Sequence, residues 1–411
     1  MTQVNQVHPL RTAPWPVIDE QGKEAVLCVL ESGKINYWTG EETKKFEEEF
    51  AAYCDVPYAL AVSNGTLALE LALRACGIGE GDEVIVPSRT FIATAGSVAA
   101  VGATPVVCDI DPNTNNMSAL DVAKVLTPRT KAIIAVHLGG YPAPMDELHD
   151  LAKQVDAYML EDCAQAHGAT YRGRKVGSLG DAGCFSFCQD KIMPLGEGGM
   201  ITFHNKKMYE RAWSYRDHGR SLEKMQAAAE QPSSSFKWLT DSFGSNARMG
   251  EMEGALGRVM LRALPQYHAQ RTVHAYQLVN VMNELSGVEP LILSNAERAE
   301  GSAHAFYRLY ARIDTSALVE GWSRDRILAE LNTLGVPVQY GSCALIGREK
   351  AFEGFAASQL SEWPQAQKVH ENSLAFLVHP TLTEADIEGI GAALAQVMHQ
   401  ATGAKKVERS E

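Results

Sequence analysis

The sequence predicts an α/β fold with a mainly parallel central sheet, followed by a smaller C-terminal domain. Between about residue 55 and residue 202, short apolar segments alternate with longer amphipathic ones. Nearly continuous apolar strands separated by helices are typical of a parallel sheet covered on both faces. At 411 residues the chain is also too long to fold around one ordinary hydrophobic core, so two domains are expected. We place them at residues 1–264 and 265–411.

Each predicted strand is a short, mostly apolar run, and helical segments separate the early ones. The strands are Tyr58–Val62, Glu83–Pro87, Thr104–Asp109, Ala132–Leu138, Ala157–Glu161, Gly183–Phe187 and Gly199–Phe203. The clearest helices are Leu67–Cys76, Ala93–Val101 and a long one, Pro265–Leu285, that leads into the second domain. The segment Gln226–Ser235 is small, polar and proline-bearing, which indicates a mobile surface loop. The charged tail, residues 403–411, is expected to fray.

Composition limits the class of protein. Hydrophobic residues make up 45% of the chain and charged residues 21%, which is typical of a soluble globular protein. The formal net charge of -13 argues against nucleic acid or an anionic membrane as a general partner, but not against a small anionic ligand in a locally positive pocket. The N-terminus lacks the features of a signal peptide, and no apolar run approaches the ~20 residues of a spanning helix. We therefore expect a cytoplasmic protein.

The eight cysteines are scattered and form no CxxC pair. Several lie within apolar runs, which favours buried, reduced thiols. Cys184 and Cys188 are an alternative metal pair, but no second pair completes a site of the usual spacing. We expect no metal.

A carboxylate and a lysine follow two of the predicted strands. Asp162 comes after an apolar strand, where a buried carboxylate needs a partner. Lys191 ends an apolar-aromatic stretch, which favours a desolvated amine. A pyridoxal phosphate (PLP) enzyme needs this combination: the lysine forms a Schiff base with the cofactor aldehyde, and the carboxylate keeps the pyridine nitrogen protonated. The alternatives are an Asp162 that caps a following helix and a solvated loop lysine.

Neighbouring residues could complete such a site. Ser63-Asn64-Gly65-Thr66 lies between a strand and a helix, and free amides at a helix N-terminus favour an anion such as phosphate; a plain N-cap is the alternative. Gln165, one helical turn after Asp162, could contact the ring's phenolic oxygen. Ser186, five residues before Lys191 on the same strand, could donate to the phosphate. Phe91 could stack on the ring or be an ordinary core aromatic, and glycines 196, 198 and 199 permit a tight turn.

These motifs together resemble the DegT/DnrJ/StrS sugar aminotransferases, PLP enzymes of fold type I. The resemblance covers nearly the whole chain. Its most specific parts are the runs Glu161–Gly168, Gly177–Asp181 with Phe185–Phe187, Lys191 with Gly196–Gly199, and Arg216–Gly219. It implies a three-layer, aspartate aminotransferase-like fold with a smaller C-terminal α+β domain, and a homodimer whose second subunit completes each site.

The resemblance also implies roles for individual positions. Lys191 matches the Schiff-base lysine and Asp162 the partner of the pyridine nitrogen. The other cofactor positions are Gly65, Thr66, Phe91, Gln165, Ser186 and Asn246, the last reaching the partner subunit's phosphate. Candidate substrate contacts are Tyr37, Arg89 and Arg248.

Two segments depart from the commoner family pattern: Cys188-Gln189-Asp190 before the lysine, and Gln339–Cys343, which often contributes to substrate fit. We expect an amino group to move from glutamate or glutamine to a keto-sugar, first of all a nucleotide-linked keto-deoxysugar of lipopolysaccharide or antibiotic synthesis. Alternatives are amino-cyclitol or aminohydroxybenzoate-type acceptors, or a protein that binds PLP or a sugar nucleotide without turnover. Related dehydratases carry histidine in place of the lysine, so Lys191 weighs against that reaction.

Overall fold

The computed structural model describes residues 9–230, 238–355 and 362–404. Its strands are β1 Tyr58–Val62, β2 Glu83–Pro87, β3 Thr104–Cys108, β4 Thr130–Val136, β5 Tyr158–Asp162, β6 Thr170–Tyr171, β7 Arg174–Lys175, β8 Ala182–Ser186, β9 Gly199–Phe203, β10 Val288–Pro290, β11 Leu309–Ile313, β12 Val338–Gln339 and β13 Ser373–Phe376. Its helices are α1 Glu20–Ser32, α2 Glu42–Cys54, α3 Gly65–Ala75, α4 Ala93–Ala100, α5 Ala119–Val125, α6 Met145–Gln154, α7 Lys206–Arg216, α8 Leu222–Glu230, α9 Glu251–Asn283, α10 Asn295–Ala299, α11 Arg324–Thr333, α12 Pro364–Asn372 and α13 Glu384–Thr402.

The central sheet has seven strands in the order β1-β9-β8-β5-β4-β2-β3. Strand β9 runs antiparallel to both its neighbours, and the other pairings are parallel. Six strands therefore point the same way, and their carboxyl ends share one edge. The predicted strands agree with the observed ones to within two residues, so the mainly parallel α/β fold is confirmed.

The sheet is covered on both faces, and alternate residues of each strand show it. In β1, Ala59 and Ala61 belong to one apolar core with Phe46 and Phe50 of α2, whereas Leu60 and Val62 belong to a second core with α3, α4 and α7. Side chains of a strand alternate between its two faces. The cores therefore lie on opposite sides of the sheet, which gives three layers.

The C-terminal part has a sheet and core of its own. Its four strands, in the order β10-β11-β13-β12, are all antiparallel. Side chains from the second half of α9, from α11 and from α13 pack against them, which confirms the α+β character. The boundary that we propose near residue 265 falls inside α9. The packing is not fully separate, because Trp363 and Val369 join the core of the large sheet.

Two predicted elements are wrong in extent. The long helix begins at Glu251, not at Pro265, which lies inside it. An interior proline removes one hydrogen bond and crowds the carbonyl of residue i−4, but the packing of fifteen buried residues along α9 offsets that local cost. Residues 226–230 of the predicted surface loop belong to helix α8, because their alanines favour a helix; residues 231–235 lie outside the described residues.

All eight cysteines are free thiols, and five of them are buried. This agrees with the reduced state expected from their spacing. Among the described residues, no helix combines the length and the apolar composition needed to cross a membrane. The charged tail beyond residue 404 lies outside the described part of the chain.

Candidate active site

A cavity of about 740 Å³ opens at the carboxyl edge of the sheet, between the two parts of the chain. Segments that follow β1, β2, β5 and β8 meet there, as expected for ligand sites in open α/β sheets. Seven of the predicted cofactor positions line it: Gly65, Thr66, Phe91, Asp162, Gln165, Ser186 and Lys191. The predicted phosphate, ring and lysine positions therefore converge on one cavity.

Helix α3 begins at the cavity wall. Asn64 is its N-cap, and its side-chain oxygen accepts from the amide of Leu67 at 2.9 Å. The plain N-cap alternative is thus correct for Asn64, but the amides of Gly65 and Thr66 precede the helical hydrogen-bond ladder and remain available to an anion. A Cβ on residue 65 would lie 2.6 Å from the Cβ of Ser186. Glycine at 65 is what lets the helix N-terminus and Ser186 approach.

Asp162 closes β5 and is 6% exposed. Thr94 donates its hydroxyl to Oδ2 at 2.9 Å, and the amide of Ala164 donates to Oδ1 at 3.1 Å. Burial raises the pKa of Asp162, and the Ala164 amide, the Thr94 hydroxyl and the charge of Lys191 oppose that shift. The alternative that Asp162 caps a helix is wrong, because turns follow β5.

Gln165 reaches the cavity by a different route from the one predicted. No helix follows Asp162, so the one-turn spacing argument for Gln165 is wrong. Its position is fixed instead by the amide of Gly139, which donates to Oε1 at 2.7 Å. With the oxygen bound, the amide nitrogen of Gln165 is the group left to donate into the cavity.

Lys191 lies in a turn rather than on a strand. Strand β8 ends at Ser186, and the chain turns at Gln189 and Asp190, so the prediction of one strand from Ser186 to Lys191 is wrong. The backbone is held by the amide of Lys191, which donates to the carbonyl of Cys188, and by Trp15, which donates to the carbonyl of Lys191 at 3.1 Å. The side chain is half-buried and lines the cavity. It is a loop lysine, but not a freely solvated one.

Phe91 is 67% exposed and lines the cavity. The interpretation as an ordinary core aromatic is therefore wrong. An exposed ring at the mouth of a cavity has a free face, which a planar ligand could cover by offset stacking.

Beneath the site, Glu161 is fully buried beside Asp162. It accepts from His137 Nε2 at 3.0 Å and, at 2.8 Å each, from the amides of Gly177, Leu179 and Gly180. His137 Nδ1 accepts from the amide of Ala143, so the ring proton is on Nε2. Burial alone would raise the pKa of Glu161, but His137 and these amides hold it below its usual value. Cys163 lies close enough to His137 and Glu161 for the three side chains to hold a metal ion. Both carboxylate oxygens of Glu161, however, already accept hydrogen bonds from the protein.

Replacing Glu161 by glutamine should destabilise the fold by about 2–4 kcal/mol, because its NH₂ group would replace an oxygen that accepts two hydrogen bonds and would face both of those donors. The measurement is denaturant unfolding of the cofactor-free protein. Asp150→Asn, at a carboxylate whose side chain is 76% exposed, is the matched control and should stay within about 0.5 kcal/mol of wild type. Equal effects of the two changes would contradict this account.

The C-terminal part contributes residues that the sequence prediction missed. Tyr310 lines the cavity and is packed between two glycines: a Cβ on Gly139 would lie 2.7 Å from its ring, and one on Gly341 would clash with it. The amide of Ser342 donates to the Tyr310 hydroxyl at 3.0 Å. The departing segment 339–343 is therefore a cavity wall that Tyr310 holds in place. The local sequence signal of this packing was the pair of glycines at 139 and 341, both of which adopt a positive φ in the structure.

Asp190, Tyr307 and Arg308 form a second missed group beside Lys191. All three line the cavity. Asp190 accepts from the Tyr307 hydroxyl and from Arg308 Nη2, the latter at 3.2 Å. Lys191 Nζ is 4.9 Å and the Arg308 guanidinium 4.2 Å from the centroid of the Tyr307 ring. The unusual residue before the lysine is thus one half of a contact with the C-terminal part.

Two candidate substrate residues are engaged elsewhere in this chain. Arg89 is 1% exposed and donates to Ser373 Oγ at 2.8 Å, so its long side chain crosses to the C-terminal sheet instead of lining the cavity. Tyr37 is also buried and donates to Glu47 at 3.1 Å. Burial, with the charge of Glu47, raises the pKa of Tyr37 to about 12. Neither lines the cavity.

Asn246 and Arg248 also lie outside the cavity of their own chain. Asn246 is exposed and bridges to Asp217, and Arg248 forms an ion pair with Asp217. These positions are compatible with an action on a second subunit, as the family resemblance implied for Asn246.

Comparison with known proteins decides the family. The model of the DegT/DnrJ/EryC1/StrS aminotransferase family matches residues 16–395. The chain belongs to this family. It is an aminotransferase, and the resemblance noted from its motifs is confirmed.

Three relatives of this aminotransferase illustrate its range. GDP-perosamine synthase from Caulobacter vibrioides is 36% identical over 389 residues, which cover 93% of this chain and 97% of that protein. L-glutamine:2-deoxy-scyllo-inosose aminotransferase from Streptomyces fradiae is 36% identical over 80% of this chain and 78% of its own. The X-ray structure of the aminotransferase from Psychrobacter cryohalolentis is 44% identical, with a TM-score of 0.92 over 95% of this chain and 100% of that one. The aminotransferase fold is therefore shown as well.

Proposed function

We propose that this aminotransferase uses PLP to transfer an amino group from glutamate or glutamine to a keto-sugar, first of all a nucleotide-linked keto-deoxysugar. The observation that carries the proposal is the convergence of Asp162, Lys191 and the N-terminus of α3 on one cavity. A buried acid, an amine and an anion-binding helix end are the three groups that this cofactor requires.

The residues present fit the cofactor. Gly65 leaves a cradle at the start of α3 that a Cβ would fill against Ser186, and Thr66 and Ser186 add hydroxyls for a phosphate. Burial raises the pKa of Asp162, and a pyridinium N–H would stabilise its charged form by a charge-assisted hydrogen bond. Gln165 would donate to the ring oxygen and Phe91 would cover a ring face. When bound, PLP supplies a ring that accepts electrons from the donor's α-carbon.

Replacing Gly65 by alanine should weaken PLP binding about tenfold, because α3 must move away from Ser186. The measurement is a PLP titration of the cofactor-free protein followed by absorbance. Gly96→Ala is the matched control: this helical glycine has no atom within 4 Å of an added Cβ, and alanine favours a helix. Unchanged PLP affinity in Gly65→Ala would argue against the cradle.

Lys191 and Asp162 would have different roles in the transamination. Lys191 Nζ would move the proton that leaves the donor's α-carbon, as general base and then acid. Asp162 would hold a proton at the pyridine nitrogen through a charge-assisted hydrogen bond. Thr94 and the amide of Ala164 orient that carboxylate. Because the donor would leave its amino group in the cavity and depart as a keto acid before the acceptor enters, the kinetics should be ping-pong.

Relatives that act on different acceptors support different choices for the acceptor of this enzyme. The GDP-perosamine synthase relative supports a nucleotide-linked sugar, and the inosose aminotransferase relative supports an amino-cyclitol. An aminohydroxybenzoate-type acceptor is a third choice, since the solved 3-amino-5-hydroxybenzoic acid synthase is 29% identical with a TM-score of 0.83. Family membership weighs against a binder without turnover. Lipopolysaccharide and antibiotic synthesis are the pathways we favour.

We further propose a cytoplasmic homodimer with shared active sites, in which Asn246 reaches the partner's phosphate site and Arg248 lies near its substrate. The support is the position of both residues outside their own cavity and the exposure of Asn246.

The test is mass spectrometry of the products from a panel of keto-sugar nucleotides and keto-cyclitols, each with glutamate and with glutamine. A mass change that corresponds to replacement of C=O by CH–NH₂ in one acceptor supports the proposal and names the substrate. The visible spectrum of the PLP-loaded protein should also change when glutamate or glutamine is added. A protein that binds PLP but shows neither response would overturn the assignment.

A further inference from the structure

The cavity has few positive groups for the anions that its chemistry involves. Among the described residues that line it, Lys191 and Arg308 carry positive side chains, and Asp162, Asp190 and Glu197 carry negative ones. Lys191 is assigned to the chemistry. Arg308 is therefore the permanent cation that this chain offers to a carboxylate in the cavity.

Arg308 is held in place but not saturated. Its side chain is 12% exposed and lies against the Tyr307 ring, 4.2 Å from the centroid. Nη1 donates to the carbonyl of Tyr307 at 3.3 Å, and Nη2 donates to Asp190 at 3.2 Å and to the Tyr307 hydroxyl at 3.4 Å. No described residue accepts from Nε. A guanidinium has five N–H donors in a planar fork that matches a carboxylate, so donors remain for an incoming ligand.

The partner of Arg308 is an easily replaced carboxylate. The side chain of Asp190 is 52% exposed, and an ion pair with so exposed a carboxylate contributes little net free energy, because water solvates that carboxylate when the pair opens. A ligand carboxylate could therefore take the guanidinium from Asp190 at small cost. Lys191 lies near the same Tyr307 ring, with Nζ 4.9 Å from its centroid, so that ligand would be close to the reactive amine.

The other arginines considered for the substrate do not fill this role within one chain. Arg89 is fully buried and bonded to Ser373. Arg248 is paired with Asp217, a buried carboxylate, outside the cavity.

We infer that Arg308 binds a carboxylate of the amino-acid donor, and that Asp190 occupies the guanidinium until the donor displaces it. This inference rests on the proposed function, because it names the binding group for that function's donor. It also assigns a role to Asp190, which departs from the commoner family pattern: its carboxylate pairs with Arg308 while no donor is bound. The bound group is either the α-carboxylate or the side-chain carboxylate of glutamate, and the experiment distinguishes them.

The first test measures binding without chemistry. Glutarate, a dicarboxylate that has no amine, is titrated into the PLP-loaded protein by calorimetry. Arg308→Gln should weaken glutarate binding about tenfold or more, with partial recovery in Arg308→Lys, which keeps the charge. Asp190→Asn should tighten it about threefold, because the competing carboxylate is gone. Weaker binding in both Arg308→Gln and Asp190→Asn would overturn the inference, since a purely structural pair would act in that way.

The second test compares three donors in a single turnover, read from the cofactor spectrum. Glutamine lacks the side-chain carboxylate and isoglutamine lacks the α-carboxylate. If Arg308 binds the α-carboxylate, Arg308→Gln slows glutamate and glutamine but leaves isoglutamine near its wild-type rate. If it binds the side-chain carboxylate, glutamine is the donor that is spared. Equal slowing with all three donors would mean that Arg308 only positions Lys191, and would overturn the inference.

Two controls separate this inference from the proposed function. Arg326→Gln removes an exposed arginine of α11 that does not line the cavity, and it should match wild type in both tests. If the wild-type spectrum responds to none of the three donors, the proposed function fails, whereas the glutarate titration still reports on Arg308. If wild type responds and Arg308→Gln leaves glutarate binding unchanged, the inference alone fails.

Discussion

Replacing Lys191 by alanine is expected to reduce transamination at least about ten-thousandfold, the largest effect of any single change in this chain. The residue has two tasks that no neighbour can share. Among the described residues that line the cavity, Lys191 has the one amine, so neither the covalent link to the cofactor nor the proton transfer has a substitute. The measurements are product formation and the visible absorption of the lysine-linked cofactor, which should be lost.

Controls separate this loss from a general loss of structure. Lys206→Ala removes a lysine whose side chain is 69% exposed and should retain wild-type rates. Lys191→Arg keeps the positive charge but cannot form the link, so it should be as inactive as the alanine variant. Added methylamine should restore part of the activity of Lys191→Ala if the missing group is an amine that moves a proton. Retained transamination in Lys191→Ala would refute the assignment.

The sequence predicted the sheet well because its strands are specified locally. Strands buried on both faces must be apolar throughout, and β1, β2 and β9 were located to the residue. The positions of Asp162 and Lys191 followed for the same reason, since Asp162 closes β5, Lys191 comes shortly after β8, and the carboxyl ends of these strands meet at one edge. These predictions needed the order of elements, but no knowledge of distant contacts.

What the sequence could not predict depends on contacts between distant residues. Arg308 meets Asp190 across 118 residues, and Arg89 meets Ser373 across 284. Nothing local indicates that the Arg89 side chain leaves the cavity edge for the C-terminal sheet. Pro265 led to the wrong start for the long helix, because a proline does destabilise a helix interior. Here the buried side chains on both halves of α9 stabilise the helix through that position.

Asparagine at position 162 is expected to lower the turnover rate by about a hundredfold to a thousandfold, because the variant cannot hold the pyridine nitrogen protonated. The change nearly preserves shape: the amide oxygen can keep the hydrogen bond from the Ala164 amide, and the NH₂ group that takes the place of Oδ2 can donate to the Thr94 hydroxyl, which turns to accept. PLP binding should weaken about tenfold, since a charge-assisted hydrogen bond becomes a neutral one. Steady-state kinetics and PLP titration measure the two effects, with Asp150→Asn as the exposed control.

The same substitution should have the opposite effect on the cofactor-free protein. Burial raises the pKa of Asp162 above its usual value of 3.8, so the folded state binds this proton more tightly than the unfolded state does. Stability contributed by the protonated form is therefore lost as pH rises from about 4 through the folded-state pKa. Asp162→Asn should remove that loss, leaving the cofactor-free variant at least as stable as wild type at neutral pH. Denaturant unfolding across this pH range, with and without PLP, measures it. A variant that is less stable than wild type in the absence of PLP would show that Asp162 serves the fold and not the cofactor.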